Sequence, residues 1–201
     1  MKICMIIKYT PSNIEDKSEI SAVNDGELKR AAGVHSLSPI FEVENGQICL
    51  KGKKEVVALR RSTDNIDMLS TFVHEMSHAF KSNRNNLKLI QNENGGNILE
   101  TRSGISVTYS NVYIENGKIV LDDFQEDNLG LEEGINTYDE NNIMNRILSL
   151  QISEIPETCK GLKEKLILPE GKNSYSSPGY CQETLCADKL LNKCKLRDTI
   201  R

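Results

Sequence analysis

The spacing of hydrophobic positions changes period along the chain, and each change marks an expected element. Over residues 40–60 the apolar positions alternate as Phe41 and Val43, Ile48 and Leu50, then Val56 to Leu59. Asn45-Gly46 separates the first two groups, and Lys51-Gly52-Lys53-Lys54 separates the last two. Asn and Gly both accept positive φ, so this segment predicts a small antiparallel meander of short strands. The period then becomes helical. At about 100° per residue, Ile66, Leu69, Phe72, Val73, Met76, Ala79 and Phe80 fall on one stripe, which predicts an amphipathic helix fed directly by the last strand. Ser62, Thr63 or Asp64 is placed to cap it, and Asp67 puts negative charge in its first turn.

Residues 82–96 are polar and read as a loop, a short segment at Leu87 to Ile90, and a second loop around Asn94-Gly95-Gly96-Asn97. Alternation returns over residues 103–124, where Asn116-Gly117 predicts a hairpin turn. A second helix is expected from near Leu129 toward Asn141, with a continuation through Ile143, Met144, Ile147 and Leu148. Beyond Pro156 come a Lys/Glu-rich segment, turn formers over residues 169–179, and a helical stretch from about Tyr180 to Leu196. These closing helices read as packing elements. At the other end, Asp25 to Ala32 reads as a helical turn, and His35 falls in a Gly33–Pro39 segment that reads as loop, which makes it a solvated loop histidine.

With 201 residues and 38% hydrophobic content, the chain is expected to fold as one α+β domain over residues 1–201. A sheet and its helix would occupy about residues 1–125, and a mainly helical part about 126–201. The net charge of −4 arises from interspersed charges without a basic stripe, which argues against a nucleic-acid partner. The apolar run at the start ends at Lys8 with no small-residue cleavage site, and no segment approaches the length of a membrane span. The expectation is a cytoplasmic protein without membrane contact. The six cysteines are scattered, so free thiols are expected; Cys181, Cys186 and Cys194 cluster without zinc-knuckle spacing and read as helix-packing residues.

The candidate chemistry lies in Thr71-Phe72-Val73-His74-Glu75-Met76-Ser77-His78-Ala79-Phe80. Two histidines four apart stand one turn apart on a helix, so both imidazoles reach a single ion, and the glutamate between them is placed to handle protons. His74 and His78 point away from the apolar stripe, flanked by the small residues Ser70, Thr71 and Ser77. Two adjacent carboxylates stand in Leu131-Glu132-Glu133-Gly134-Ile135-Asn136-Thr137-Tyr138 on the second expected helix. On a helical wheel Leu131, Ile135 and Tyr138 lie roughly opposite Glu133, so this carboxylate points away from the apolar stripe. Glu132 stands about 100° to its side as the rival.

These residues resemble the gluzincin metallopeptidases, in which the two histidines of His-Glu-x-x-His and a glutamate on a later helix hold zinc. In the aminopeptidase and compact minigluzincin branches that glutamate is followed by Gly, as in Glu133-Gly134-Ile135 here. The metzincin pattern fits poorly, because Lys81 and Arg84 stand where Gly and His would be required. Thr137 stands where thermolysin-like enzymes often have an Asp that holds a ligating histidine, leaving Asn136, Thr137 and Glu140 as candidates to orient a histidine.

The resemblance implies a zincin-like fold with a small antiparallel or mixed sheet packed on the helix, Zn²⁺ held by His74, His78 and Glu133, and a peptide or protein substrate. Glu75 would serve as general base in peptide-bond hydrolysis. Tyr109, Tyr113, Arg102 and His35 are candidates for the oxyanion partner. The alternative is a catalytically inactive zincin-like module that acts by binding protein.

Overall fold

A computed structural model describes residues 4–9, 32–60, 64–81, 86–168 and 170–194. The helical turn expected over residues 25–32 lies, up to residue 31, outside them, as do Ser62 and Thr63. The architecture is α+β. Seven strands run in chain order as β1 (Cys4–Tyr9), β2 (Gly33–Glu44), β3 (Gln47–Arg60), β4 (Leu87–Gln91), β5 (Asn97–Ser103), β6 (Ser106–Glu115) and β7 (Lys118–Asp127). The helices are α1 (Asn65–Lys81), between β3 and β4, then α2 (Leu129–Ser149), α3 (Glu157–Lys163) and α4 (Cys181–Cys194), with a 3-10 turn at Ile152–Glu154.

The first sheet is mixed and has the order β1-β3-β2, with β1 parallel and β2 antiparallel to β3. The expected three-strand meander is instead one long hairpin. Asn45 and Gly46 take the positive φ angles its turn requires. Lys51-Gly52-Lys53-Lys54 does not break β3, because its lysines find partners along the strand. Lys51 Nζ lies 2.5 Å from Glu44 Oε1, and Lys53 Nζ donates to Asn86 Oδ1 at 2.8 Å. Among the described residues β2 is an edge strand, where Pro39 is tolerated.

The second sheet is an antiparallel meander ordered β4-β5-β6-β7. Its hairpin at Asn116-Gly117 stands where the spacing predicts it. Residues 94–96 form the loop expected there, and it joins two further strands, β4 and β5. There Asn92 Oδ1 accepts the backbone N–H groups of Asn94 and Gly96. Ile48, Leu99 and Val112 are buried together, with Phe41, Leu87 and Ile119 packed on them, and this cluster ties the two sheets to each other.

Asp64 caps α1, its Oδ1 accepting the N–H of Ile66 at 2.8 Å, an interaction typically worth about 1 kcal/mol. The apolar stripe of α1 divides its work. Phe72, Met76 and Ala79 pack on Val57 and Leu59 of the first sheet, whereas Ile66, Leu69 and Val73 pack on Met144 of α2 and on Leu166. Phe80 belongs to the stripe by periodicity yet is 80% exposed.

The buried face of α2 departs further from expectation. Ile135 and Met144 are buried, but so are Glu132, Asn136, Thr137 and Glu140, while Leu131 and Tyr138 are only half-buried. Four buried polar side chains on one helix face require partners, and most of those partners lie in the cleft beside α1. α4 packs on α2 and buries Ala187 and Leu191. Cys181 and Cys186 are exposed free thiols, so the packing role expected of them does not hold, because the buried face of α4 is carried by other residues. Among the described residues no helix is long and apolar enough to cross a membrane.

Candidate metal centre

A cleft of about 950 Å³ opens between the β2 edge, α1, α2 and the second sheet, and His74, Glu75, His78 and Glu133 all line it. His74 and His78 are presented from one face of α1, with ring centroids 5.1 Å apart. Glu133, in the second turn of α2, reaches both rings. Its Oε2 is 3.0 Å from His74 Nε2 and its Oε1 is 3.4 Å from His78 Nε2. One donor atom from each of the three residues fits within a mutual distance of 4.8 Å.

These distances fit a metal. Bonds of about 2.0–2.1 Å arranged tetrahedrally place donor atoms roughly 3.3 Å from one another. Two imidazoles and a carboxylate are also a donor set suited to Zn²⁺. The three residues therefore fit such an ion by both geometry and chemistry.

Partners outside the triad contact both rings. Glu140 Oε2 lies 3.1 Å from His74 Nδ1, and Tyr175 donates its hydroxyl to Glu140 Oε1 at 2.6 Å. The Asn136 amide nitrogen lies 2.8 Å from His78 Nδ1 and 3.0 Å from its Nε2, and Lys81 donates to Asn136 Oδ1 at 2.6 Å. Of the three residues expected to orient a histidine, Glu140 offers His74 an acceptor, whereas the Asn136 amide nitrogen, a donor, stands against both nitrogens of His78. Thr137 is buried, and its hydroxyl has no hydrogen-bond partner among the described residues.

Glu132 turns elsewhere. It is 1% exposed, accepts the N–H of Ile105 at 2.8 Å and lies 3.7 Å from Lys81 Nζ. Gly104 makes this approach possible, because a Cβ there would stand 2.2 Å from Glu132 Oε2. The carboxylate thus fastens the β5–β6 turn to α2, while its neighbour faces the histidines.

The electrostatics follow from these contacts. Burial works against the charged form of His74, but hydrogen bonds with Glu133 and Glu140 outweigh it and raise the pKa to about 10. Burial would likewise raise Glu133, yet hydrogen bonds with His74 and His78 hold its carboxyl down at about 2. Glu75 is pushed up by burial, against the pull of His74 and His78 and a backbone hydrogen bond from His35. A carboxylate with a raised pKa beside a metal-type donor set is suited to proton transfer.

His35 is not the solvated loop residue its neighbourhood suggests. It sits in β2 with its side chain 5% exposed, its Nε2 is 3.0 Å from Glu55 Oε1, and its ring is stacked with that of His78 at 6.1 Å. Burial lowers its pKa despite the Glu55 contact. Gly33, two residues earlier, brings β2 against α1, because a Cβ there would stand 2.8 Å from Glu75 Cγ.

Of the other oxyanion candidates, Arg102 lines the cleft with its Nε held by Glu100 at 2.5 Å. Tyr109 packs against Phe124, and Tyr113 is 42% exposed. Two tyrosines that sequence reasoning left aside do line the cleft, Tyr175 and Tyr180. The ring of Tyr180 stacks on His74 with centroids 6.1 Å apart and planes 9° from parallel. Burial and the charges of Glu133, Glu75 and Glu183 raise its phenol pKa. Only the Pro/Gly/Ser-rich run before Tyr180 marks this segment in the sequence, and such a run signals a turn rather than a site.

In comparisons with known proteins, no family model, curated protein or solved structure matches this chain.

Proposed function

We propose that the chain is a zinc-dependent peptidase of gluzincin type, with a zincin-like arrangement of its first sheet and α1. The observation that carries this reading is the convergence of His74 Nε2, His78 Nε2 and a Glu133 carboxylate, with Glu75 in the same cleft. His74, His78 and Glu133 would hold the ion. Bound there, zinc would supply Lewis acidity, lowering the pKa of a water toward about 7 and polarising a carbonyl.

The chain's own residues account for the rest. Glu140 keeps the His74 ring aimed at Glu133. Glu75, raised by burial, takes the proton of the attacking water and delivers it to the amine nitrogen as the C–N bond breaks. Among the described residues β2 is at the edge of its sheet and borders the cleft with Gly33 and Val34, and an edge strand suits an extended peptide pairing as an added strand. An extended peptide is therefore the substrate class this cleft favours.

The test combines metal content with turnover on a mixed peptide library. Stoichiometric zinc in the wild type is expected, with Glu75→Gln retaining the zinc and losing roughly 10²–10⁴-fold in hydrolysis. A Glu75→Gln variant that cleaves within a few-fold of wild type removes Glu75 from the reaction. Absence of zinc uptake removes the metal reading altogether.

A further inference from the structure

We infer that the cleft-facing side of the second sheet is a subsite for a basic side chain of the peptide, with Asp123 and Glu126 of β7 as the residues that select it. This rests on the peptidase reading above and names the kind of peptide the cleft takes.

Strand register shows which residues share that side of the sheet. Ser110 is paired with Leu99 and Asp123, and Thr108 with Thr101 and Glu126. Thr108 and Ser110 are two apart on β6, so these residues point one way, and all of them line the cleft. Plain alternation would put Asp123 and Glu126, three residues apart, on opposite faces. The register shift between Tyr109 and Ser110 removes that conflict, because β7 fits one extra residue, Phe124, into the pairing there. A bulge of this kind re-aims side chains. It sets the two carboxylates opposite positions about 7 Å apart along β6, a gap that one ammonium or guanidinium group can bridge.

Nothing basic in the cleft is available to them. Arg102 is the one lysine or arginine among the described lining residues, and its Nε is held by Glu100. Asp123 Oδ1 accepts the hydroxyl of the buried Ser110 at 2.5 Å, a neutral donor that steadies the carboxylate without neutralising it. Charges that merely guard an edge strand against pairing would serve on either face. Here the bulge turns both toward the cleft.

The inner end of the same surface holds a buried acceptor that the fold leaves unmet. Ser103 and Ser106 flank the β5–β6 turn and line the cleft, and Glu132, 1% exposed, lines it beside them. Glu132 Oε2 accepts the N–H of Ile105, but Oε1 has no hydrogen-bond partner among the described residues, and neither has the buried Ser103 Oγ. Lys81 comes no nearer to Oε1 than 3.7 Å, since its Nζ donates to Asn136 Oδ1. A buried carboxylate oxygen without a donor is costly, and a ligand rich in N–H groups supplies one. Glu132 directly precedes Glu133, so this end of the surface adjoins the candidate centre. Carboxylates and hydroxyls with so few competing cations complement a lysine or arginine side chain.

The experiment uses the zinc-loaded full chain and a library of extended peptides, with cut sites read by mass spectrometry. Lysine and arginine are expected to be enriched at one fixed position relative to the cut. A matched pair of peptides then carries at that position either lysine or norleucine, which keeps the stem and lacks the charge. The ratio of their kcat/KM values is expected to favour lysine about tenfold, the size of two partly exposed charge pairs acting together, and to shrink as salt is added. In Asp123→Asn/Glu126→Gln it is expected to fall to within about twofold, with zinc content and thermal unfolding matching wild type. Glu126→Lys alone is expected to turn the preference toward glutamate at the same position, a reversal that a structural role for β7 would not produce.

A library without an enriched basic position would overturn the subsite, as would a lysine preference undiminished in the double variant. If the double variant unfolds or loses zinc, Glu126→Lys decides, and an unchanged lysine preference there overturns the proposal. Failure of the zinc-loaded wild type to cleave any library member would overturn the peptidase reading and this proposal with it. That outcome is distinct from efficient cleavage without a basic preference.

Discussion

Glu140 Oε2 lies 3.1 Å from His74 Nδ1, while the other nitrogen of the same ring faces Glu133. A histidine held this way has its orientation set before any ion arrives. Glu140 is itself held by the Tyr175 hydroxyl, so the alignment reaches from α1 through α2 into the segment before α4.

The first prediction concerns this alignment. Glu140→Gln keeps an acceptor of similar shape but removes the charge, and zinc affinity is expected to fall about 10–100-fold with the fold intact. Tyr175→Phe, one contact further out, is expected to cost less. Competition against a chromophoric chelator measures both. Equal affinities for Glu140→Gln and wild type would dismiss Glu140 as an orienting group.

The second prediction is a proton count. Without metal, His74 has its pKa raised to about 10, so at pH 7 it carries a proton that zinc must displace. Calorimetric titration in buffers of different ionisation enthalpy is expected to show about one proton released from His74 per zinc at pH 7. Apparent affinity should rise about tenfold per pH unit while that proton is the one displaced. In the metal-free protein, the His74 contribution to stability is complete below its unfolded value of about 6.5 and is lost as pH rises through about 10. The Glu133 contribution is complete above about 4.5 and is lost as pH falls through about 2. Zinc uptake without proton release would contradict the charged His74.

Adjacent carboxylates give the third prediction. Glu133→Gln removes a ligand and is expected to abolish stoichiometric zinc, as are His74→Ala and His78→Ala. Glu132→Gln is expected to keep zinc and to lose about 1–3 kcal/mol of stability, because it disturbs the buried contacts with Ile105 and Lys81. Elemental analysis and denaturant unfolding, run on both, separate ligand from anchor. Zinc loss confined to Glu132→Gln would reverse the assignment.

How far the sequence reveals all this depends on whether a feature is local. The two histidines and Glu75 are legible because helix period alone brings them together, whereas the direction of Glu133 is not, because Leu131 and Tyr138 are only half-buried and the buried face of α2 carries Glu132, Asn136, Thr137 and Glu140. The β4–β5 hairpin is not, because β4 is a five-residue strand in an Asn-rich setting and its turn relies on one side chain, Asn92. β3 runs on through Lys51-Gly52-Lys53-Lys54 because those lysines are partnered by residues distant in sequence, Asn86 among them. His35 and Tyr180 gain their surroundings only when β2 and α4 close on α1 and α2, at glycines whose purpose is invisible until the opposing chain is placed.

Gly33 provides the last prediction. Its φ lies outside the left-handed region, so what it supplies is space rather than backbone freedom. A Cβ would stand 2.6 Å from Thr71 Cγ2 and 2.8 Å from Glu75 Cγ, closer than real Cβ contacts come. Gly33→Ala must therefore move β2 away from α1 or turn Glu75 aside, and His35, whose backbone hydrogen-bonds Glu75, moves with the strand. Overpacking of this kind typically costs about 1–3 kcal/mol. The expected result is lower stability, retained zinc and reduced turnover, since His74, His78 and Glu133 lie outside the clash. Gly52→Ala serves as control, because nothing lies within 4 Å of a Cβ there. Adding Thr71→Ser to Gly33→Ala removes the nearer methyl while leaving the hydroxyl that bonds the Asp67 carbonyl, so part of the stability should return. Turnover should stay low, because the contact with Glu75 remains. A Gly33→Ala variant with wild-type stability and wild-type turnover would show that β2 and Glu75 are not in close approach.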